Sequence, residues 1–183
     1  MLTSLLDPDW SREEKTGPWC PGASLLKAHR SYSNLKNKSG LFARLGRSFY
    51  VLKYRFWSVI TGADIPLGTS LGGGLVLPHP NGIVIHPEAK IGVNCLIMQG
   101  VTIGTNIGKG APLIEAGCDL SPGAKVLGPI TIGARAMIGA NAVVTKNVPP
   151  LALAIGVPAK ICMDWKDRRK KFIGQEQLLK NAN

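Results

Sequence analysis

Counting back from Val144 in steps of six meets Ile138, Ile132, Val126, Leu120 and Ile114, an unbroken aliphatic series. A second series runs Ile85, Ile91, Ile97, Ile103, and a third Ile65, Leu71, Leu77, Ile83. A small residue often follows the aliphatic, as in Ile91-Gly92, Ile103-Gly104, Ile132-Gly133 and Ile138-Gly139. Helices repeat near 3.6 residues and strands at 2, so a period of six selects another architecture. Each hexad reads as one short strand with its aliphatic residue pointing inward, followed by a turn that the small residue eases. Three hexads close a triangular coil, and coils stack so that the aliphatics form ladders inside a prism. No hexad buries its face alone, so the stack is cooperative. Roughly thirteen hexads give a little over four coils.

The period breaks twice. The frame slips by two between Ile83 and Ile85, just after His79-Pro80-Asn81-Gly82. Ile103 and Ile114 stand eleven apart, so about five residues within Thr105 to Pro112 leave the coil as an excursion. Extra residues on a rigid scaffold are where function tends to sit, and both breaks mark candidate site walls.

Three segments follow: residues 1–62 with an irregular start and helices over 23–38 and 41–61, the prism over 63–160, and a basic tail over 161–183 that reads as a short helix. The formal net charge is +11, divided as +6 in 1–63, +2 in 64–160 and +3 in 161–183. That basicity suits an anionic partner such as a phosphate-rich cofactor or an acidic membrane surface. No run matches a nucleic-acid motif, so no nucleic-acid partner is expected. The second helix mixes apolar faces with Arg44, Arg47, Lys53 and Arg55. Packing on the prism or on a neighbouring subunit is the favoured reading, with peripheral membrane contact as the alternative. Cys20, Cys95, Cys118 and Cys162 form no metal or disulfide pattern and read as isolated thiols. Acids at the N-terminus where a signal peptide needs cations make the cytoplasm the expected location.

Of the three histidines, His29 falls in a polar helix and is expected in solvent, and His86 opens a surface turn. His79 differs: Pro78 and Pro80 fix its backbone beside a frame slip. An imidazole is the usual group for taking a proton from a hydroxyl near neutral pH. Asp64 stands fifteen residues earlier, nearly one coil. A carboxylate one layer away can accept the second ring N–H and fix the tautomer. The alternative is a lone turn histidine and an unrelated strand-end aspartate. His79 and His86 are the only prism histidines, short of a three-histidine metal site, and no metal is expected.

Four segments together carry a family likeness: Gly62-Ala63-Asp64-Ile65-Pro66; Leu77 through Ile85; Gly123-Ala124-Lys125-Val126-Leu127-Gly128; and Ile155-Gly156-Val157-Pro158-Ala159-Lys160. This set resembles the serine acetyltransferases and their hexapeptide-repeat relatives over residues 62–161. The resemblance implies a mainly β fold, a left-handed parallel β-helix, assembled as a homotrimer with acetyl-CoA bound between neighbouring prisms. It implies His79 as general base with Asp64 as its partner. It also implies that Ala124, Gly139 and the turn from Gly156 through Pro158 to Lys160 border the CoA groove. Lys125, Lys146 and Lys160 are the cations expected to face its phosphates. L-serine is the acceptor the family implies.

The chain departs from that pattern near the acceptor. An acid precedes the histidine in the serine enzymes, and here that residue is Pro78. An Arg-His pair stands in their excursion where this chain has Gly110-Ala111. A serine carboxylate would then fall to Lys109, to backbone N–H groups near Gly110, or to the N-terminal helix. A sugar or polysaccharide hydroxyl is the alternative acceptor.

Overall fold

A computed structural model describes residues 7–14, 17, 19–106 and 110–163. Its body is a three-faced prism of parallel strands two or three residues long. One face stacks Ile65, Ile85, Ile103, Val126 and Val144, a second Leu71, Ile91, Ile114, Ile132 and Val148, and a third Leu77, Ile97, Leu120, Ile138 and Ala154. All but Leu71 are buried, so these are the expected ladders.

A second set of inward positions falls two residues before most ladder residues. Ala63, Ala89, Cys95, Val101, Cys118, Ala124, Ala136, Ala142 and Ala152 occupy it and are buried. Small side chains fill most of it, and Leu75 and Ile130 are large exceptions. Ile83 also belongs to this set, so the third aliphatic series ends at Leu77 and Ile83 leads into Ile85. Cys95 and Cys118 are core residues whose thiols donate to the carbonyls of Glu115 and Gly133, each at 3.2 Å.

Coil length varies while the ladders hold. Val76 lies opposite Leu96, 20 residues on, and Val84 opposite Thr102, 18 on. Lys90 lies opposite Leu113, 23 on, and Ile132 opposite Val148, 16 on. Two residues are therefore added in the turn holding His79 and five in the 105–112 excursion. Two are removed just after Val144. The corners absorb every change because only the strands carry register.

Helix α1 spans Pro21–Lys36 and α2 Leu41–Thr61. Pro21 suits the first turn because its missing N–H has no helical partner there. Gly62, with φ +64°, ends α2 in the left-handed conformation that glycine adopts freely. α1 lies against the first coil so closely that a Cβ on Gly22 would stand 2.1 Å from the Leu77 carbonyl oxygen.

The helices finish the hydrogen bonding that a coil beneath the first would supply. In higher coils the carbonyls of Val101, Ile103 and Ile114 accept N–H groups from below, from Val84, His86 and Gly92. The matching first-coil carbonyls are those of Ala63, Ile65 and Leu71. They accept instead from Ser58 (2.8 Å), the Tyr54 hydroxyl and the Arg30 guanidinium. Burial, then the charge of Asp64, pushes the Tyr54 phenol up to about 12. At the far end Lys160–Cys162 turns back antiparallel along Leu153–Ile155. The expected tail helix lies outside the described residues.

α2 packs on the first coil through Tyr54 and Trp57, as expected, while Phe42, Leu45, Phe49, Leu52, Phe56 and Val59 are exposed. One expectation needs correcting: His29 is not solvated. It is 3% exposed, edge-on to the Tyr54 ring at 6.2 Å, because α1 sits between the first coil and α2. Burial, reinforced by neighbouring Arg30, lowers its pKa to about 4. The unfolded chain therefore binds more protons between pH 4 and 6.5, and stability falls as pH drops through that window. The loss is expected to reach about 3 kcal/mol at the lower end. Urea midpoints from pH 7.5 to 4.5 should fall more steeply in the native sequence than in His29→Gln; equal slopes would refute the assignment.

Candidate active site

The face that begins at Asp64 gathers most of the expected site. Its outward column runs Asp64, Val84, Thr102, Lys125 and Val143, five levels that at about 4.8 Å each span roughly 19 Å. The corner leading into this face is a stack of left-handed residues, Gly62, Gly82, Gly100, Gly123 and Asn141, with φ from +54° to +72°. Gly82 stacks on Gly100 at ordinary contact distance, 3.6 Å from a Cβ at Gly82 to the Gly100 Cα, so it is the positive φ that calls for glycine. The sequence thus has glycine where the chain must turn tightly and stack on itself.

His79 stands in the widened turn that feeds this corner. The turn closes with Ile83 N–H donating to the Pro80 carbonyl (3.3 Å) and Gly82 N–H to that of Gly62 (3.1 Å). His79 is exposed, as a group that must reach a diffusing substrate has to be. The turn rests on Gly62, two residues before Asp64, so the two expected partners share one corner. No hydrogen bond or ion pair joins them among the described residues.

Lys125 adds a cation to the same corner. Its ammonium donates to the Gly100 carbonyl at 2.6 Å and to the Thr102 hydroxyl at 3.0 Å, one coil above the end of the His79 turn. The top of the face is closed by the turn around Gly156. Val143 N–H donates to the Gly156 carbonyl (3.1 Å), and Ala159 N–H to the Val143 carbonyl (2.9 Å). Val157-Pro158 is a cis peptide bond. Here Lys146, Pro158, Ala159 and Thr145 border an open cavity of about 240 Å³. Lys160 is exposed beside it, opposite Ile155.

Ala124 is on the same face, between Gly123 of the corner and Lys125 of the column, and the other expected residues fall elsewhere. Ala124 is wholly buried and both its backbone groups are used, to Ser121 and from Thr102, so its methyl is part of the core. Gly139 lies at the end of the neighbouring face, where a Cβ would meet Ile155 at 2.6 Å. Gly110 is exposed at φ +59°, against Pro129, and Lys109 lies outside the described residues. Arg135 sits at a different corner, its N–H bound to the Ala116 carbonyl. The sequence did not single out Thr102. Its place midway up the column, one coil below Lys125, depends on the excursion's length, which hides their 23-residue pairing. No group of three metal-ligating side chains occurs among the described residues. No described helix is long and apolar enough to cross a membrane.

Comparison with known proteins gives this geometry a family. The serine acetyltransferase of Bacillus pumilus is 36% identical over 167 residues, covering 82% of this chain and 77% of that protein. The chain belongs to the serine acetyltransferase family. A serine acetyltransferase solved in complex with CoA superposes with a TM-score of 0.65 at 33% identity, over 79% of this chain and 57% of that one. The Neisseria gonorrhoeae serine acetyltransferase in complex with serine gives 0.67 at 30% identity, over 86% and 67%. The left-handed parallel β-helix of these serine acetyltransferases is the prism described above. No family profile matches the chain. The chain spans about half the length of the first curated serine acetyltransferases it matches.

Proposed function

We propose that this chain is an acetyl-CoA-dependent O-acetyltransferase acting on the hydroxyl of L-serine, with His79 as general base. The observation that carries the reading is the single face joining the His79 corner to the Lys146–Pro158 cavity. An extended thioester arm laid along that column brings the acetyl group to His79. It leaves the CoA phosphates beside Lys146 and Lys160. Its second wall is the prism of a neighbouring subunit, so the working form is a homotrimer, and the cytoplasm is its place.

Transfer is direct. His79 takes the acceptor's hydroxyl proton as the oxygen attacks the thioester carbonyl. The tetrahedral intermediate collapses with loss of the CoA thiolate, which takes up the proton from the imidazolium. Asp64 holds the second ring N–H when the corner closes on substrate, since catalytic hydrogen bonds often tighten only in the complex. Cys95 and Cys118 lie inside the prism, which argues against either as a covalent acyl carrier.

The test is thiol release from acetyl-CoA as serine is varied. Serine should stimulate release with a Michaelis constant at or above the upper part of the ~1 μM–1 mM range. A tight carboxylate site usually offers a bidentate guanidinium, and this chain has Gly110-Ala111 at the matching place. The same substitution favours a second reading, a sugar hydroxyl, which needs no such clamp. Stimulation by a sugar and not by serine would establish that reading instead.

A further inference from the structure

The outward face of α2 is built for a surface that the described residues do not provide. Phe42, Leu45, Phe49, Leu52, Phe56 and Val59 recur at alternating spacings of three and four. At 3.6 residues per turn they form one stripe roughly 26 Å long and about 100° wide. Phe42 is 89% exposed, Leu52 70% and Val59 82%. Single exposed apolar residues are ordinary, whereas a continuous stripe marks an interaction surface. The opposite side of α2 is taken: Gly46 meets Leu35, Tyr54 caps the first coil, and Arg47 donates to the carbonyls at the end of α1, at 2.8 Å to Lys38.

Charge selects the occupant. α2 holds no aspartate or glutamate. Arg44 and Arg55 border one edge of the stripe and Lys53 the other, and no side-chain hydrogen bond or ion pair engages any of the three among the described residues. A second copy of this face would set rows of cations against each other with no carboxylate between them, the reverse of a stable helix pair. A bilayer with anionic headgroups meets both demands: acyl chains take the phenylalanines and leucines, and phosphates take the flanking cations.

We propose that α2 docks the protein on an anionic lipid surface, with the helix axis in the membrane plane and the stripe among the acyl chains. The proposal does not depend on the acetyl acceptor. The full chain should sediment with vesicles of phosphatidylglycerol and phosphatidylcholine in equal amounts. It should stay in solution with phosphatidylcholine alone, and high salt should weaken binding because the cations lie at the surface. Phe49→Ser combined with Phe56→Ser should lower the bound fraction at least about tenfold, and Arg44→Glu combined with Arg55→Glu should do likewise. All three proteins should keep the same circular dichroism and the same mass by light scattering, and the phenylalanine variant should keep the native thiol release in solution. Failure of the native chain to bind the anionic vesicles would overturn the proposal, as would undiminished binding by both variants. A fall in mass on Phe49→Ser with Phe56→Ser would overturn it in favour of a second copy.

Discussion

Replacing His79 with alanine is expected to lower acetyl transfer by roughly 10²–10⁴-fold, the usual weight of a general base, while CoA binds almost as before. His79 is exposed, and its side chain makes no hydrogen bond that the fold needs. The turn is held by backbone bonds at Ile83 and Gly82 and by two prolines, so its shape survives the loss of the ring. The proposed CoA phosphate contacts lie up the column, at Lys146 and Lys160, away from the His79 corner. The loss should therefore fall on kcat, with the calorimetric affinity for CoA and the melting temperature little changed. Turnover within a few fold of the native protein would remove His79 from the reaction. A large fall in CoA affinity would instead make it a binding residue.

Arg30→Ala is expected to destabilise the fold by about 3–5 kcal/mol, the cost of breaking a mostly buried pair by removing one partner. The guanidinium grips Glu13 through two nitrogens, at 2.8 and 3.3 Å, and also donates to the Leu71 and Gly72 carbonyls. The two side chains are 21% and 11% exposed. Without Arg30 the Glu13 carboxylate keeps the Leu75 N–H at 3.1 Å but no countercharge. Two carbonyls at the start of the prism lose their donor as well. Urea unfolding at neutral pH measures the effect. Adding Glu13→Gln should recover part of the loss, because the stranded charge is then gone. A change below about 1 kcal/mol would mean that water replaces the pair.

The ladders could be read from the sequence because each inward aliphatic residue is fixed by a period that no other architecture produces. The two-residue slip and the five-residue excursion also showed, since an insertion in a periodic chain is visible as a phase change. The second inward column was missed. Alanine, cysteine and valine there look like any small residues, and only the stacking of coils reveals Cys95 above Leu75 or Ala124 above Val101. His29 was misread because a helix with a weak apolar stripe gives no sign that it is sandwiched between a prism and another helix. α2 shows the same limit from the other side. Its apolar stripe was visible, but the direction in which it points is decided by Tyr54, Ser58 and Arg47, which anchor the opposite face. At the site, sequence spacing brought Asp64 and His79 to one corner. It could not say whether they touch, since that depends on side-chain orientation in a turn two residues longer than the repeat.

A stack of parallel coils has two raw ends, and each is in principle a template on which another molecule could continue the stack into a filament. Among the described residues each end carries a cap. At the start, Ser58, Tyr54 and Arg30 occupy the carbonyls of Ala63, Ile65 and Leu71 that an incoming coil would need. At the other end Lys160–Cys162 covers Leu153–Ile155 in the antiparallel sense, so a parallel coil cannot extend that face in register. The same side chains that join the helices to the prism thus oppose its growth from the first coil. Loss of Tyr54 or Arg30 would then threaten solubility as well as stability, by exposing a surface on which prisms polymerise end to end.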